Sequence, residues 1–547
     1  MLARRTVLAV LALALLVPAS APARQTAGLK APSGLKAFAL RYDEPASRNF
    51  SRTPAFSWEP VPRAGNYEFQ LATSDKFREN SIVWSSDTLA MPYVSIPLAL
   101  PWTTGHPYSL FARVRAHTQT GTTPWSTDFG FNVRWSRIPA KLPAPIGLLR
   151  WTPVDGASIY EITETTTPNE GSLPPAGKKS YFVGTNVTDM RDWYTFHQGS
   201  DWVGTVYWRV RAVRVTYGMS QNGQTSTSYG PWSPLFQTNA APPTATRIDL
   251  IETISDVIGT NAKPAAHTIM PGFAWSGSLA LNGTSFELYR TYIFSDRDCV
   301  DPVFTGSIVG SPAWVPRLTG ALVLPRNADD LSKARAGMLA DGNQGKTLDS
   351  TLHEVTPNEN VGTDTTGGGG APRRLDLWDR KWPSGAYYWT TVPVRWFFNV
   401  DQQIEYWDTE TPQDACAAGR IGTFGRISNP IPTGNNSAYV TGLSLSGRTM
   451  SVSASSFPRV YGTPLVTWTP VLGADEFEVQ WSRMRYPFSA IGTVTTPTAS
   501  TVLSLKPGVW YYRVRGINLQ MPTAVQGMAW SSVRTLRLAK PVFRVVG

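Results

Sequence analysis

A two-part signature returns four times along the chain, and it limits the fold more than any other feature. The first part is an apolar residue, a Trp two positions on, Pro-Val, a small Gly/Ala pair, then an aromatic residue followed by Glu. The first copy reads Phe56, Trp58, Pro60-Val61, Ala64-Gly65, Tyr67-Glu68. The second reads Leu149, Trp151, Pro153-Val154, Gly156-Ala157, Tyr160-Glu161. The fourth reads Val466, Trp468, Pro470-Val471, Gly473-Ala474, Phe477-Glu478. The third is degenerate: Phe273, Trp275 and, after a longer gap, Phe286-Glu287.

The second part is a segment with paired arginines: Arg113-Val114-Arg115, Arg209-Val210-Arg211 and Arg513-Val514-Arg515, with Thr390 and Val392 in their place in copy three. A Trp-Ser pair follows in three copies, at Trp125-Ser126, Trp232-Ser233 and Trp530-Ser531. Tyr108, Leu110, Ala112, Val114 and Ala116 share one parity, while Ser109, Arg113, Arg115 and His117 share the other. Period two with one apolar side is a strand of an antiparallel sheet wet on one face. Pro60 and Pro62 are expected to end the Trp58 strand, and Gly65, Gly156 and Gly473 to supply turns before the next one.

Composition agrees. Charged residues are only 16 %, aromatics reach 12 % with 21 Trp, and Gly and Pro number 45 and 44. Such a chain is neither a helical bundle, a coiled coil nor a disordered polymer. Arg4 and Arg5, the apolar run Thr6 to Val17 and Ala21-Pro22-Ala23 read as a cleavable export leader over 1–23. Its apolar run is short for a membrane span, and no later stretch is long enough. A secreted or cell-surface location follows, with no transmembrane segment once the leader is cut. The formal charge of +11 is uneven: from Pro458 onward ten basic residues face only Asp475, Glu476 and Glu478. A basic exported module favours anionic polymers or membrane surfaces; a soluble surface with a basic bias is the plainer alternative.

The early Trp, the Tyr-Glu strand, the Tyr-x-Arg-Val-Arg strand with its later Trp-Ser, and Leu505-x-Pro507-Gly508 ahead of Tyr511 together resemble fibronectin type III domains. The resemblance implies an all-β chain of about four tandem immunoglobulin-like sandwiches, each of about 90 to 100 residues. The units are expected over 30–138, 141–240, 243–434 and 440–547, the third degenerate. The Trp58–Trp151 spacing of 93 fits one unit, whereas Trp151–Trp275 is 124 and Trp275–Trp468 is 193. The excess falls in a polar insertion at Thr165 to Lys179 and a longer one at 326–374. The longer one is expected to be disordered, with a short helix possible over Ala328 to Leu339.

The candidate site residues are the arginines and indoles: Arg113, Arg115 and Trp125; Arg209, Arg211 and Trp232; Arg513, Arg515 and Trp530. A guanidinium over an indole makes a cation–π contact. One reading is a ligand-binding ladder; the other is a structural cover on the wet face of the sheet, which recurrence in three units favours. Cys299 and Cys416 are the only cysteines. An exported chain with one pair is expected to join them; two buried free thiols are the alternative.

Catalytic signatures are scarce. The five histidines (His106, His117, His197, His267 and His353) form no metal-binding spacing, and no nucleophile elbow or phosphate loop occurs. No metal or cofactor is expected. The resemblance therefore implies a non-enzymatic exported scaffold or adhesion protein. Its expected partner is an extracellular protein or an anionic cell-wall polysaccharide, not nucleic acid. The alternative is a secreted carbohydrate-active enzyme, or an accessory binding protein, with a site at the insertions of units two and three. Its carboxylates would come from Asp296, Asp298, Asp301, Asp376 and Asp379, and Trp193, Tyr194, Trp202 and Trp407 would stack on sugar rings.

Overall fold

A computed structural model describes residues 28–38, 48–165, 180–184, 186–190, 204–216, 226–239, 248, 250–254, 266–267, 272–276, 288–300, 302–309, 312–315, 361–362, 373–374, 385–398, 404–426, 443–445, 448–450, 459–461, 463–468, 474–517 and 530–539. The leader, the Ala328–Leu339 helix, and nearly all of the 166–179 and 326–374 insertions lie outside them. Among the described residues no helix is long and apolar enough to cross a membrane.

Unit one is a two-sheet sandwich. Its strands are β1 (Lys36–Phe38), β2 (Asn49–Phe50), β3 (Ala55–Ser57), β4 (Ala64–Ala72), β5 (Ile82–Leu89), β6 (Tyr93–Ser95), β7 (Leu110–Thr118), β8 (Gly121–Thr122) and β9 (Phe129–Val133). The small sheet runs β1-β3-β6 and the large one β2-β9-β7-β4-β5. β5 pairs back onto β4 instead of crossing to the small sheet, which leaves one sheet of three strands and one larger. β3 stops at Ser57, before Trp58 and the two prolines. Gly65 lies within β4, contrary to its expected turn role. The preceding turn is closed by Ala64 N–H donating to Val61 O at 3.2 Å, with Arg63 in the left-handed region at φ 61°.

Unit two has β10 (Leu148–Arg150), β11 (Ile159–Thr165), β12 (Ser180–Val183), β13 (Val187–Asp189), β14 (Val206–Thr216), β15 (Ser226–Tyr229) and β16 (Phe236–Thr238). β10 pairs β13; β12-β11-β14 form the large sheet, with β15 and β16 both on β14. Unit three has β17 (Leu250–Ile254), β18 (Ala266–His267), β19 (Gly272–Trp275), β20 (Leu288–Phe294), β21 (Pro302–Val309), β22 (Ala313–Trp314), the pair β23 (Val361–Gly362) and β24 (Arg373–Arg374), β25 (Gly385–Phe398), β26 (Ile404–Asp408), helix α1 (Pro412–Ala417) and β27 (Gly422–Arg426). Its sheets run β17-β19-β22 and β18-β27-β25-β20-β21, with β26 on β25. A hairpin of β28 (Leu443–Leu445) and β29 (Arg448–Met450) lies at the start of the span expected for unit four. Unit four has β30 (Arg459–Tyr461), β31 (Leu465–Thr467), β32 (Glu476–Ser482), β33 (Gly492–Thr496), β34 (Ser500–Val502), β35 (Gly508–Ile517) and β36 (Arg534–Ala539), in sheets β31-β34 and β30-β36-β35-β32-β33.

The repeated Trp and aromatic residue are one contact. Trp58 meets Tyr67 edge-on at 5.4 Å, Trp151 meets Tyr160 at 5.4 Å, Trp275 meets Tyr289 at 5.4 Å and Trp468 meets Phe477 at 5.5 Å. Each pair sits between the two sheets, where aromatic rings favour edge-to-face geometry. Pro-Val belongs to the same device, since Val61 N–H donates to the Tyr67 hydroxyl (2.9 Å) and Val154 N–H to that of Tyr160 (2.8 Å). Copy three corrects the sequence reading. The ring meeting Trp275 is Tyr289, so the counterpart of Tyr-Glu is Tyr289-Arg290 and not Phe286-Glu287, which lies outside the described residues.

The units are tandem in sequence but not strung out in order. Units one and two share one continuous core, which runs from Phe50 and Trp102 to Trp151 and Trp208. Units two and three meet through Leu148 and Val187 against Ala274, Ala313 and Val315. Unit four folds back onto unit one: the Ser95 hydroxyl donates to Ser500 O at 2.7 Å, and the Tyr93 hydroxyl to Thr463 O.

Candidate functional site

The arginine strands carry the candidate site on their outer faces. In β7, Leu110, Ala112, Val114 and Ala116 are buried while Arg113 and Arg115 alternate outward. Trp-Ser then places the indole. Ser126 N–H donates to Val114 O (2.8 Å), and Val114 N–H donates to the Ser126 hydroxyl (3.1 Å). The same two bonds join Ser233 to Val210 and Ser531 to Val514. Serine thus pins the chain to the valine between two arginines, and the Trp before it lies across both guanidinium groups.

The distances repeat. Arg113 and Arg115 sit 4.2 and 4.4 Å from the Trp125 ring. Arg209 and Arg211 sit 5.0 and 4.5 Å from Trp232, and Arg513 and Arg515 4.3 and 4.5 Å from Trp530. Phe77 and Phe488 extend the stack, at 4.1 Å from Arg113 and 4.3 Å from Arg513. Strand β4 supplies the acceptors. Arg115 Nε donates to Glu68 (2.6 Å), and Arg113 donates twice to the Gln70 carbonyl (2.9 and 2.7 Å). Arg211 binds Glu161 at 2.6 Å, Arg515 binds Glu478 at 2.7 Å, and Arg513 repeats the bonds of Arg113 on Gln480. Burial, and then the neighbouring arginine, lower the pKa of Arg113 and of Arg513, against the pull of Glu68 and Glu478. These hydrogen bonds and stacked faces occupy Arg113, Arg115, Arg211, Arg513 and Arg515, whereas Arg209 stacks on Trp232 and its buried Nε has no hydrogen-bond partner among the described residues.

Unit three covers the same sheet face differently. Arg290 pairs opposite Val392, and Tyr292 opposite Thr390. Arg290 stands where the other units have glutamate, and it bridges to Asp408 at 3.2 Å. Burial, foremost, raises the pKa of Tyr292, whose hydroxyl donates to Asp408. Where the indole would lie, helix α1 packs Ala415 with Tyr292, Phe294, Cys299 and Val392. Cys299 and Cys416 are joined as a disulfide with Cα atoms 6.5 Å apart. Cys299 ends its turn in the left-handed region (φ 56°), as Phe77 does in the matching loop of unit one (φ 47°). A covalent bond replaces the Phe77–Arg113 contact.

Of the proposed carboxylates, Asp296 and Asp298 are among the described residues. Asp296 and Asp298 lie in the turn before Cys299, where Asp296 accepts from Val300 N–H at 3.3 Å. Asp301, Asp376, Asp379, Trp193, Tyr194, Trp202, His197 and His353 lie outside the described residues. Among the described residues no three His, Cys, Asp or Glu side chains gather as metal ligands.

Sequence reasoning missed a charged junction where units one, two and four meet. Arg52 is buried, donates to Asp155 Oδ1 at 3.0 Å and to Ala474 O at 3.2 Å. Asp155 also accepts from the Ser51 hydroxyl. Arg214 is buried beside them and donates to Leu100 O (2.8 Å) and Gly156 O (3.1 Å). Burial, then Arg52, push its pKa down to about 9 against the pull of Asp155 and Asp475. Gly156 has φ +83°, and a Cβ there would stand 2.2 Å from Ser51 O, so only glycine lets the units approach so closely. Arg214 did carry a signal, because it sits on the buried parity of β14, opposite to Arg209 and Arg211. Arg52 carried none.

No family model matches this chain. No curated protein matches it. Among solved structures it is similar to the FN1–FN3 domains of chicken CNTN1, at 14 % identity over 49 % of this chain and 80 % of that one, with a TM-score of 0.14. It is also similar to a two-domain fibronectin type III segment of chicken tenascin, at 10 % identity over 37 % of this chain and 98 % of that one, with a TM-score of 0.17. The chain resembles fibronectin type III repeat proteins. Its all-β sandwich architecture is read from its own strand order.

Proposed function

We propose that the chain works outside the cell, or at its surface, as a non-catalytic scaffold whose sandwiches form one fixed cluster. The three-unit junction at Arg52 carries this reading. A buried arginine bound to Asp155 of unit two and Ala474 of unit four fixes relative positions, which flexible beads do not need. Removing one partner of such a buried pair costs about 3–5 kcal/mol. The ladders support the same reading, since they spend their cations on covering sheets. The Cys299–Cys416 disulfide suits an oxidising compartment. Contacts with extracellular protein or anionic wall polysaccharide then fall to exposed loops, where rigid sandwiches usually bind.

Ser95 and Ser500 hydroxyl oxygens lie 3.0 Å apart across units one and four, which provides a test. The double variant Ser95→Cys/Ser500→Cys is expected to cross-link within one chain on mild oxidation. It should still be captured by a cell-surface fraction to the extent of the parent. Failure to cross-link, or hydrolysis of a polysaccharide by the purified protein, would remove the reading.

A further inference from the structure

Unit four carries its charges at opposite ends. Its described acids are Asp475, Glu476 and Glu478. Glu478 is held by Arg515. Asp475 and Glu476 stand at the start of β32, where Asp475 N–H donates to Ile517 O, next to the Ala474 carbonyl that Arg52 of unit one binds. The other end of the sandwich has no described acid. It is formed by the loop from Arg483 to Ile491, the turn Lys506-Pro507-Gly508 and the end of β36, whose Arg537 pairs opposite Val509. Arg485, Lys506 and Arg537 are exposed there.

This end also presents apolar side chains to solvent. Tyr486 is 91 % exposed, Ile491 61 % and Met484 51 %. Among the described residues only five other large apolar side chains are comparably exposed, and they are scattered. The matching loop of unit one differs in both respects. It carries Asp75, Lys76, Arg78 and Glu79, of both signs, and turns its one large apolar residue, Phe77, down onto Arg113. The base of the unit-four loop is fixed, because Arg483 stacks on Trp510 at 3.7 Å and donates to Val509 O at 3.1 Å, while Trp510 Nε1–H donates to Lys506 O at 2.7 Å. A held loop with an apolar tip and a cationic rim is an unusual surface for a protein with few charges.

The geometry points to this end of unit four as a docking tip for an anionic lipid surface. Met484, Tyr486 and Ile491 enter the boundary between headgroups and acyl chains, and Arg485, Lys506 and Arg537 meet the lipid phosphates. Tyr486 suits that depth, with an apolar ring and a polar hydroxyl. Met484 and Ile491 offer no hydrogen bond to a sugar, which favours lipid over polysaccharide. A single short apolar tip binds weakly by itself, so the cations are a necessary second element. This goes beyond the scaffold reading, which survives if the tip binds nothing.

The test is co-sedimentation of the mature chain with vesicles of phosphatidylcholine alone and of phosphatidylcholine with phosphatidylglycerol. Binding is expected only where phosphatidylglycerol is present, and it should weaken with added salt. The triple variant Met484→Ser/Tyr486→Ser/Ile491→Ser is expected to lose roughly tenfold or more in affinity, and Arg485→Glu several-fold. Absence of binding to the anionic vesicles overturns the proposal. So does full retention by the triple variant, or complete displacement by dextran sulfate with the triple variant still binding that polyanion equally, which would identify a plain polyanion site. Cross-linking of Ser95→Cys/Ser500→Cys reports separately on the scaffold reading.

Discussion

Units one and three solve one problem by different means. Each must cover the outer face of a large sheet whose central strands are β4 and β7 in one and β20 and β25 in the other. Unit one uses charge: Glu68 and Gln70 receive Arg115 and Arg113, and Trp125 lies across both guanidinium groups. Unit three keeps one ion pair, Arg290–Asp408, and otherwise uses apolar burial: Thr390 and Val392 replace the arginines, and α1 with its disulfide packs on Tyr292, Phe294 and Val392. The inner face does not change, since the Trp–aromatic pair keeps the same geometry in all four units. The lesson is that the inner core defines the module, while its outer cover is replaceable provided the sheet face is shielded.

Breaking the two covers should therefore cost different amounts. The largest effect is expected from Cys299→Ala/Cys416→Ala. The disulfide spans 117 residues, and the chain-entropy model for a loop of that order gives about 4–5 kcal/mol. Reductant-dependent proteolysis within unit three checks it. Trp125→Ala should destabilise unit one by about 3 kcal/mol, from two lost cation–π contacts and a large side chain. Trp530→Ala should act likewise in unit four, and in both variants the loss is expected with the disulfide intact. Denaturant unfolding of each variant gives the comparison.

A pH effect separates unit four from unit one. Glu476 has its pKa pushed up to about 7 from the ordinary 4.5, by burial and then by Asp475. The folded form holds the proton longer than the unfolded form, so the contribution of Glu476 to stability is fully present below about 4.5 and is lost as pH rises through about 7. The decline is on the order of 2–3 kcal/mol. Asn66 and Ile159 occupy the position before the aromatic residue in units one and two, so the slope should vanish in Glu476→Gln. The smallest effect is expected from Ser126→Ala, which removes the hydroxyl that receives Val114 N–H, at about 1 kcal/mol. Slower thermal inactivation than for Trp125→Ala would rank the two.

Much of the module was legible in the sequence. Alternation along Tyr108–Ala116 identified an antiparallel strand with arginines outside. In unit three the charge is swapped: Arg290 holds the place of glutamate, so the aromatic-Glu pattern points to Phe286-Glu287, three residues early. The helix α1 was written locally and overlooked. Thr411 caps it, accepting from Asp414 N–H at 3.1 Å, with Pro412 in the first turn. The junction was not legible, because Arg52 and Asp155 lie 103 residues apart and no local pattern links them.

Hydrogen exchange read strand by strand tests most directly whether the ladder and the disulfide-tied helix are equivalent covers. Trp125→Ala is expected to speed exchange in Leu110–Thr118 and leave Gly385–Phe398 unchanged, while reduction of the disulfide should do the reverse. Unchanged protection of Leu110–Thr118 without the indole would contradict the account.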